Sequence, residues 1–175
     1  MRIGTGYDNV DIAFARKLSI PVTNVPDYGT HEVADTTCSM ILSHVRGLSM
    51  YNHLSKNYES GWQENFIPEL KRLENHNLGI IGMGRIGTAV GLRMKAFNID
   101  IGFYDPYIAD GFDKSIGIKR FRSMKELLKF SSIISIHTPL TKETKGMVNS
   151  DFIKQMSSGS ILINTARGQI VESLS

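Results

Sequence analysis

Four short apolar runs punctuate the second half of the chain: 78–82, 99–104, 133–136 and 160–164. Between them lie stretches with helical spacing. Ile86, Val90, Met94 and Phe97 would form the inner face of a helix over 85–97, Ser123 would cap a helix running to Phe130, and Ser150 would open one running to Met156. Apolar strands alternating with helices predict βαβ units and a parallel sheet. The first half has a different pattern. Ile12, Ala15 and Leu18 predict a short helix over 11–18, with Asp8 or Asn9 as its cap, and 20–25 predicts a short strand ended by Pro26. Thr30 would cap a long helix over 31–55, with Glu32 and Asp35 in its first turn. Val33, Thr37, Met40, Ile41, His44, Leu48 and Tyr51 would line one side of that helix. Residues 56–77 are polar and irregular, with Trp62, Phe66, Ile67, Leu70 and Leu73 scattered through them, and predict a surface excursion.

Composition narrows the class. The 175 residues suffice for a sizeable core without staples. The single Cys38 excludes a disulfide framework and a Cys-based zinc knuckle, and its place on an apolar helix face predicts a buried thiol. No apolar run is long enough to span a membrane, and the N-terminus has no signal-peptide core, so a cytoplasmic location is expected. A net charge of +3 is too slight to point to nucleic acid. The basic stretch Lys119, Arg120, Arg122, Lys125 and Lys129 reads as a solvated face beside a loop. His31, His44, His53 and His76 show no metal-ligand spacing, so no metal is expected. Met40, Met50, Met83 and Met94 read as core filling.

The chemistry concentrates where the apolar runs end. Gly82-Met83-Gly84-Arg85-Ile86-Gly87 is a GxGxxG that follows one run directly and opens a helix; Asp105 follows Gly87 by 18 residues, at the end of the next run. The three glycines differ in what they allow. Gly82 permits the tight turn, Gly84 lets backbone approach a pyrophosphate, and Gly87 lets the helix pack close to the strand. The helix N-terminus offers unpaired N–H groups to phosphate. Asp105 would accept hydrogen bonds from the adenosine ribose and repel a 2′-phosphate, favouring NAD over NADP. Arg85 either contacts the pyrophosphate or is a solvated first-turn residue. His137-Thr138-Pro139-Leu140 closes the third run on the edge where ligands bind in open parallel sheets. There His137 could be a cofactor contact, a loop residue or a base, in falling order of preference. Asn164-Thr165-Ala166-Arg167-Gly168 closes the fourth run on the same edge. Arg167 there either grips a carboxylate with parallel hydrogen bonds or pairs with an acid to hold the loop. Gly4-Thr5-Gly6-Tyr7-Asp8-Asn9 is a second glycine-rich turn that could form an anion nest.

Taken together, these motifs resemble those of the D-isomer-specific 2-hydroxyacid dehydrogenases across nearly the whole chain. The similarity covers residues 4–11, 22–26, 33–35, 82–87, 105–106, 137–141 and 164–168. It implies a Rossmann-type NAD-binding domain over 28–175, truncated at its C-terminus, and over 1–27 the end of a flavodoxin-like substrate domain. It also implies NAD as cofactor and a small 2-hydroxy or 2-oxo acid as substrate, with hydride passing between substrate C2 and nicotinamide C4. By the same resemblance Arg167 holds the substrate carboxylate and carbonyl, and the amides of Thr5 and Gly6 help. Arg85 and Ile86 lie at the pyrophosphate, Asp105 lies at the ribose, and His137, Thr138, Pro139, Thr165 and Ala166 line the cofactor. The 31–62 region resembles the family's homodimer surface.

The family's acid/base His and its orienting Glu lie beyond the T-A-R-G strand, whereas this sequence runs eight residues past Arg167. The expectation is therefore a partial chain. Lacking a positioned proton donor, it should be slower by on the order of 10²–10⁴. An NAD-binding corepressor-like module and an inactive binding module are the rival readings.

Overall fold

The strand runs are apolar on both faces, and helices cover both. The computed structural model describes residues 1–57 and 70–172. Its helices are α1 (Ile12–Lys17), α2 (Thr30–Val45), α3 (Leu48–Leu54), α4 (Arg85–Lys95), α5 (Phe112–Ile116), α6 (Met124–Phe130) and α7 (Ser150–Gln155). Its strands are β1 (Asn77–Ile81), β2 (Asp100–Tyr104), β3 (Lys119–Arg120), β4 (Ile133–Ile136) and β5 (Ile161–Asn164).

The five strands are all parallel, in the order β3-β2-β1-β4-β5. This is the sheet of a Rossmann-type domain, and the strand order reverses between β1 and β4. Along each strand successive side chains go to opposite faces. Leu78, Ile80, Ile101, Phe103, Ile133 and Ile163 pack against Ala34, Cys38 and Ile41 of α2 and Val90 and Met94 of α4. Ile81, Ile134 and Ile136 pack on the other side against Leu127 and Leu128 of α6 and Phe152 of α7. Each such aliphatic side chain, fully buried, stabilises the fold by about 1.5–3 kcal/mol. This double covering is why the strands read as continuous apolar runs instead of alternating ones.

Local signals explain several element ends. Ser123 Oγ accepts from the Glu126 amide and caps α6 as expected. Asn149 does the same for α7 through the Phe152 amide, so that helix starts where Ser150 suggested. For α1 the cap is Asp11, which accepts from the Phe14 amide, and not Asp8 or Asn9. Thr30 is the first residue of α2 and not its cap; its hydroxyl donates to Asp27 instead.

Three larger expectations need correction. The single helix over 31–55 is two helices, because Gly47 takes a left-handed conformation (φ 62°) that ends α2 and starts α3. The buried stripe of α2 is Ala34, Thr37, Cys38, Ile41 and Val45; Met40, His44 and Leu48 face outward, and Met40 and Met50 are not core. Met83 and Met94 are fully buried, and Cys38 is buried as expected. Residues 20–25 do not form the expected strand. Only two backbone bonds pair them with residues 2–4, from the Arg2 amide to the Thr23 carbonyl and from the Val25 amide to the Gly4 carbonyl.

The basic stretch also departs from expectation. Lys119 and Arg120 form the edge strand β3, preceded by α5, neither of which the sequence pattern predicted. Arg120 is not solvated: its side chain is 7% exposed and donates to the Asp105 carbonyl and to Asp110. Lys119 lies over the rings of Phe121 and Phe130. Trp62, Phe66 and Ile67 fall outside the described residues, as does most of the expected surface excursion.

Candidate active site

Every motif that ends a run emerges on one edge of the sheet. Gly82 follows β1, Asp105 follows β2, His137 follows β4 and Thr165 follows β5. A cavity of about 940 Å³ opens there, lined by Gly82, Gly84, Asp105, His137, Thr138 and Pro139 among others. It straddles the β1–β4 reversal, where open parallel sheets bind their ligands.

The three glycines behave as their spacing implies. Gly82 has φ +89°, and a Cβ there would lie 2.9 Å from the His137 backbone. A Cβ on Gly87 would lie 2.1 Å from the Gly82 carbonyl oxygen, so α4 crosses the turn at a distance only glycine permits. A Cβ on Gly84 would meet nothing within 4 Å. The turn is therefore tight at its base and open where a phosphate would approach. Gly84 precedes α4 without a side-chain cap, leaving first-turn amides available to an anion.

Asp105 is oriented by backbone. Its Oδ2 accepts from the Met83 amide at 2.8 Å and its Oδ1 from the Tyr107 amide at 2.9 Å. The carboxylate thus ties the glycine turn to the end of β2 and keeps lone pairs for ribose hydroxyls. Arg85 is exposed, and its side chain makes no hydrogen bond among the described residues. Ile86 packs on the core face. Arg85, Ile86, Gly87, Thr165 and Ala166 do not line the cavity itself.

His137 is largely buried, and its amide donates to the Ile81 carbonyl. Its Nε2 lies 2.8 Å from the Ser135 hydroxyl. Desolvation pushes its pKa down to about 4, so the ring is neutral near pH 7 and unsuited to hold a proton there. Thr138 Oγ1 is buried with no hydrogen-bond partner. An orphaned hydroxyl in the cavity wall, an open glycine turn and an acid held ready for a diol all fit a dinucleotide.

The second motif cluster lies at the end of β5. Asn164 holds its loop, accepting from the Ala166 amide and donating to the Arg167 carbonyl. The Thr165 hydroxyl meets that of the buried Thr37 at 2.9 Å, pinning the loop to α2. Arg167 does pair with an acid: its Nε donates to Asp8 Oδ1 at 2.9 Å. Its Nη1 donates to the Ala166 carbonyl at 2.7 Å. The hydrogen bond from Arg167 holds the Asp8 carboxyl below the usual carboxylate range. Gly6 is brought against this arginine, and a Cβ there would collide with the guanidinium unless Arg167 moved. Neither the Thr5 nor the Gly6 amide donates to any acceptor among the described residues.

Sequence reasoning missed much of the cavity's far wall. Tyr107, Leu128, Glu143, Asn149 and Phe152 line it. They come from α6, α7, the loop after β2 and the loop between β4 and α7, and no local motif marks them. The Tyr107 hydroxyl donates to Glu143, which raises the Tyr107 pKa. Among the described residues no cluster of His, Cys, Asp and Glu could hold a metal ion, and no helix is long and apolar enough to cross a membrane.

Comparison with known proteins agrees with this geometry. The chain is 38% identical to D-3-phosphoglycerate dehydrogenase of Bacillus subtilis, covering 98% of the chain and 32% of that protein. It is 37% identical to C-terminal-binding protein 1 of Caenorhabditis elegans, covering 97% of the chain and 24% of that protein. Among solved structures, a D-lactate dehydrogenase of Aquifex aeolicus complexed with NAD and lactic acid superposes with a TM-score of 0.85 at 36% identity, over 98% of this chain and 52% of that one. A Granulicella formate dehydrogenase superposes with a TM-score of 0.89 at 29% identity, over 97% and 45%. The chain thus spans about a quarter to a third of these curated relatives and about half of these solved chains. Residues 38–174 match the NAD-binding domain of the D-isomer-specific 2-hydroxyacid dehydrogenases, and the chain belongs to that family.

Proposed function

We propose that the protein is an NAD-dependent oxidoreductase acting at C2 of a 2-hydroxy or 2-oxo acid. On this reading the chain supplies the dinucleotide cleft and the arginine that anchors the substrate. The carrying observation is a cleft fit for a dinucleotide at the carboxyl ends of the strands, with Arg167 at the end of β5 on the same edge and Gly6 against it, although Thr5, Gly6 and Arg167 do not line the cleft itself. NAD, when bound, supplies the hydride acceptor or donor. The chain's own part is binding and polarisation. The first-turn amides of α4 and Arg85 would hold the pyrophosphate, with Ile86 behind them. Asp105 would hold the ribose. His137, Thr138 and Pro139, with Thr165 and Ala166, would flank the rest of the cofactor. Arg167 would bind the substrate carboxylate and draw electron density from its carbonyl. His137, neutral and hydrogen-bonded inward, takes no part in moving the substrate proton.

Residues 1–27 belong, on this reading, to the substrate-binding lobe, and 28–175 to the NAD-binding domain. In support, no strand before residue 77 joins the five-stranded sheet among the described residues. The protein is proposed to be cytoplasmic and to form a homodimer through the 31–62 region, where Met40, Leu48 and Met50 are exposed on α2 and α3. Sedimentation at micromolar concentration should show a dimer; a monomer alone argues against that surface. Similarity to a C-terminal-binding protein supports a second reading, in which NAD binding controls association with a partner. Substrate turnover by the full-length protein would exclude a purely binding role.

Calorimetric titration tests the cofactor assignment. NADH should bind more tightly than NADPH. Asp105→Asn keeps one amide acceptor and removes the charge, so it should narrow the preference at least tenfold, about 1.4 kcal/mol. Equal wild-type affinity for the two cofactors would overturn the role given to Asp105.

A further inference from the structure

Arg167 uses two of its five N–H groups within the chain, one to Asp8 and one to the Ala166 carbonyl. Both bonds lie on the Nε and Nη1 nitrogens. Nη2 has no acceptor among the described residues and rests against Gly6 so closely that a Cβ there would lie 1.5 Å from it. An arginine side chain at the end of a loop has several rotatable bonds and would ordinarily sample many orientations. Here one contact from a sequence-distant residue and one from the adjacent backbone remove that freedom. Asp8 is 159 residues away in sequence, and its carboxylate fixes Nε while the Ala166 carbonyl fixes Nη1. The turn bearing Asp8 is itself braced. Arg2 Nε donates to the Gly6 carbonyl at 2.6 Å, and the Asn24 side-chain amide donates to the Thr5 carbonyl at 2.8 Å.

We propose that Asp8 is a positioning residue for the substrate anchor. Its carboxylate holds Nε of Arg167 so that Nη2, admitted by the missing side chain of Gly6, is presented beside the free amides of residues 5 and 6. The inference rests on the proposed role of Arg167 in binding a 2-oxo acid carboxylate. Its energetic logic is pre-organisation: the rotamer entropy of the guanidinium is lost on folding and not on binding. Asp8 also sets the charge of the pocket. It leaves the pair close to neutral, so that an incoming carboxylate must bind through directed hydrogen bonds more than through net charge.

The test uses the full-length protein saturated with NADH and the probe oxamate, a monoanion with a carboxylate beside an amide carbonyl. Asp8→Asn preserves size and an acceptor oxygen while removing the charge. It should weaken oxamate about tenfold and leave NADH affinity unchanged. Arg167→Lys should weaken oxamate about a hundredfold. The double variant should be no weaker than Arg167→Lys alone, because Asp8 acts through Arg167. Additive losses would mean that Asp8 serves only the turn, and would overturn the proposal. Equal oxamate affinity in wild type and Asp8→Asn would overturn it as well. A wild type that binds NADH but no oxamate would instead overturn the 2-oxo acid reading itself. A readout free of substrate covers that case, namely the NMR order parameter of the Arg167 Nε–H. It should be high in the wild type and fall in Asp8→Asn, and no change would count against positioning whatever oxamate does.

Discussion

Gly87→Ala is expected to lower the unfolding free energy by about 3 kcal/mol, the upper part of the overpacking range, and to cost at least tenfold in NADH affinity. The added Cβ would lie 2.1 Å from the Gly82 carbonyl oxygen, with Ile80 Cγ2 next at 3.2 Å. The first obstacle is backbone and cannot rotate away, so α4 must lift from the turn. Lifting it moves the first-turn amides away from the pyrophosphate position and opens the core around Val90 and Met94. Gly84→Ala provides the contrast. Its φ of −73° suits alanine and the space around it is open, so stability should fall by less than about 1 kcal/mol, the scale of a weaker helix cap. NADH affinity should nevertheless fall, because that open space is where phosphate would approach. Urea denaturation and calorimetry of the two variants separate the roles. If Gly87→Ala is as stable as the wild type, the close crossing of α4 over the turn is wrong.

The second large effect concerns acid. His137 has a pKa of about 4 in the folded chain against about 6.5 when unfolded. Between those values the unfolded state binds more protons, so folding stability rises with pH across that window. The contribution is fully present above about pH 6.5 and is lost as pH falls through about 4. At about 1.4 kcal/mol for each pH unit between them, the whole loss is about 3 kcal/mol. His76, also depressed by burial and by Lys71, adds to the same slope. Comparison with His137→Gln isolates the first group: the wild type should lose stability faster on acidification, so its stability relative to the variant should fall steadily from pH 6.5 to pH 4. Parallel curves would mean that His137 is not desolvated. The same result bears on mechanism, since a ring that resists protonation at pH 7 cannot serve as the proton donor.

The sheet was legible because its strands are buried on both sides. Runs such as Leu78–Ile81 and Ile133–Ile136 have no polar alternation to confuse them, and each is followed by a helix at βαβ spacing. The glycine turn, Asp105, His137 and the Asn164–Gly168 loop were legible for a related reason: chemistry in this architecture sits at strand ends, next to the clearest pattern in the chain. What stayed hidden has physical causes. β3 is two residues long and both are cationic, so no apolar run announces it; Arg120 is buried only because Asp105 and Asp110 receive it. The break at Gly47 looks like ordinary helix spacing until the left-handed backbone is seen. The buried stripe of α2 includes Ala34, a small residue that lets the helix pack close, where helical spacing alone equally favours Met40 and His44. The Asp8–Arg167 pair joins residues 159 apart, and the sequence pattern named only the possibility of an acid partner.

A sheet margin with free backbone groups invites strands of other molecules, and proteins that survive at high concentration blunt it. Beyond β2 this sheet offers only two residues, Lys119 and Arg120. One is folded over aromatic rings and the other is anchored inward. A foreign strand approaching from that side finds two rungs and a positive charge, too little to template growth, so this margin resists aggregation.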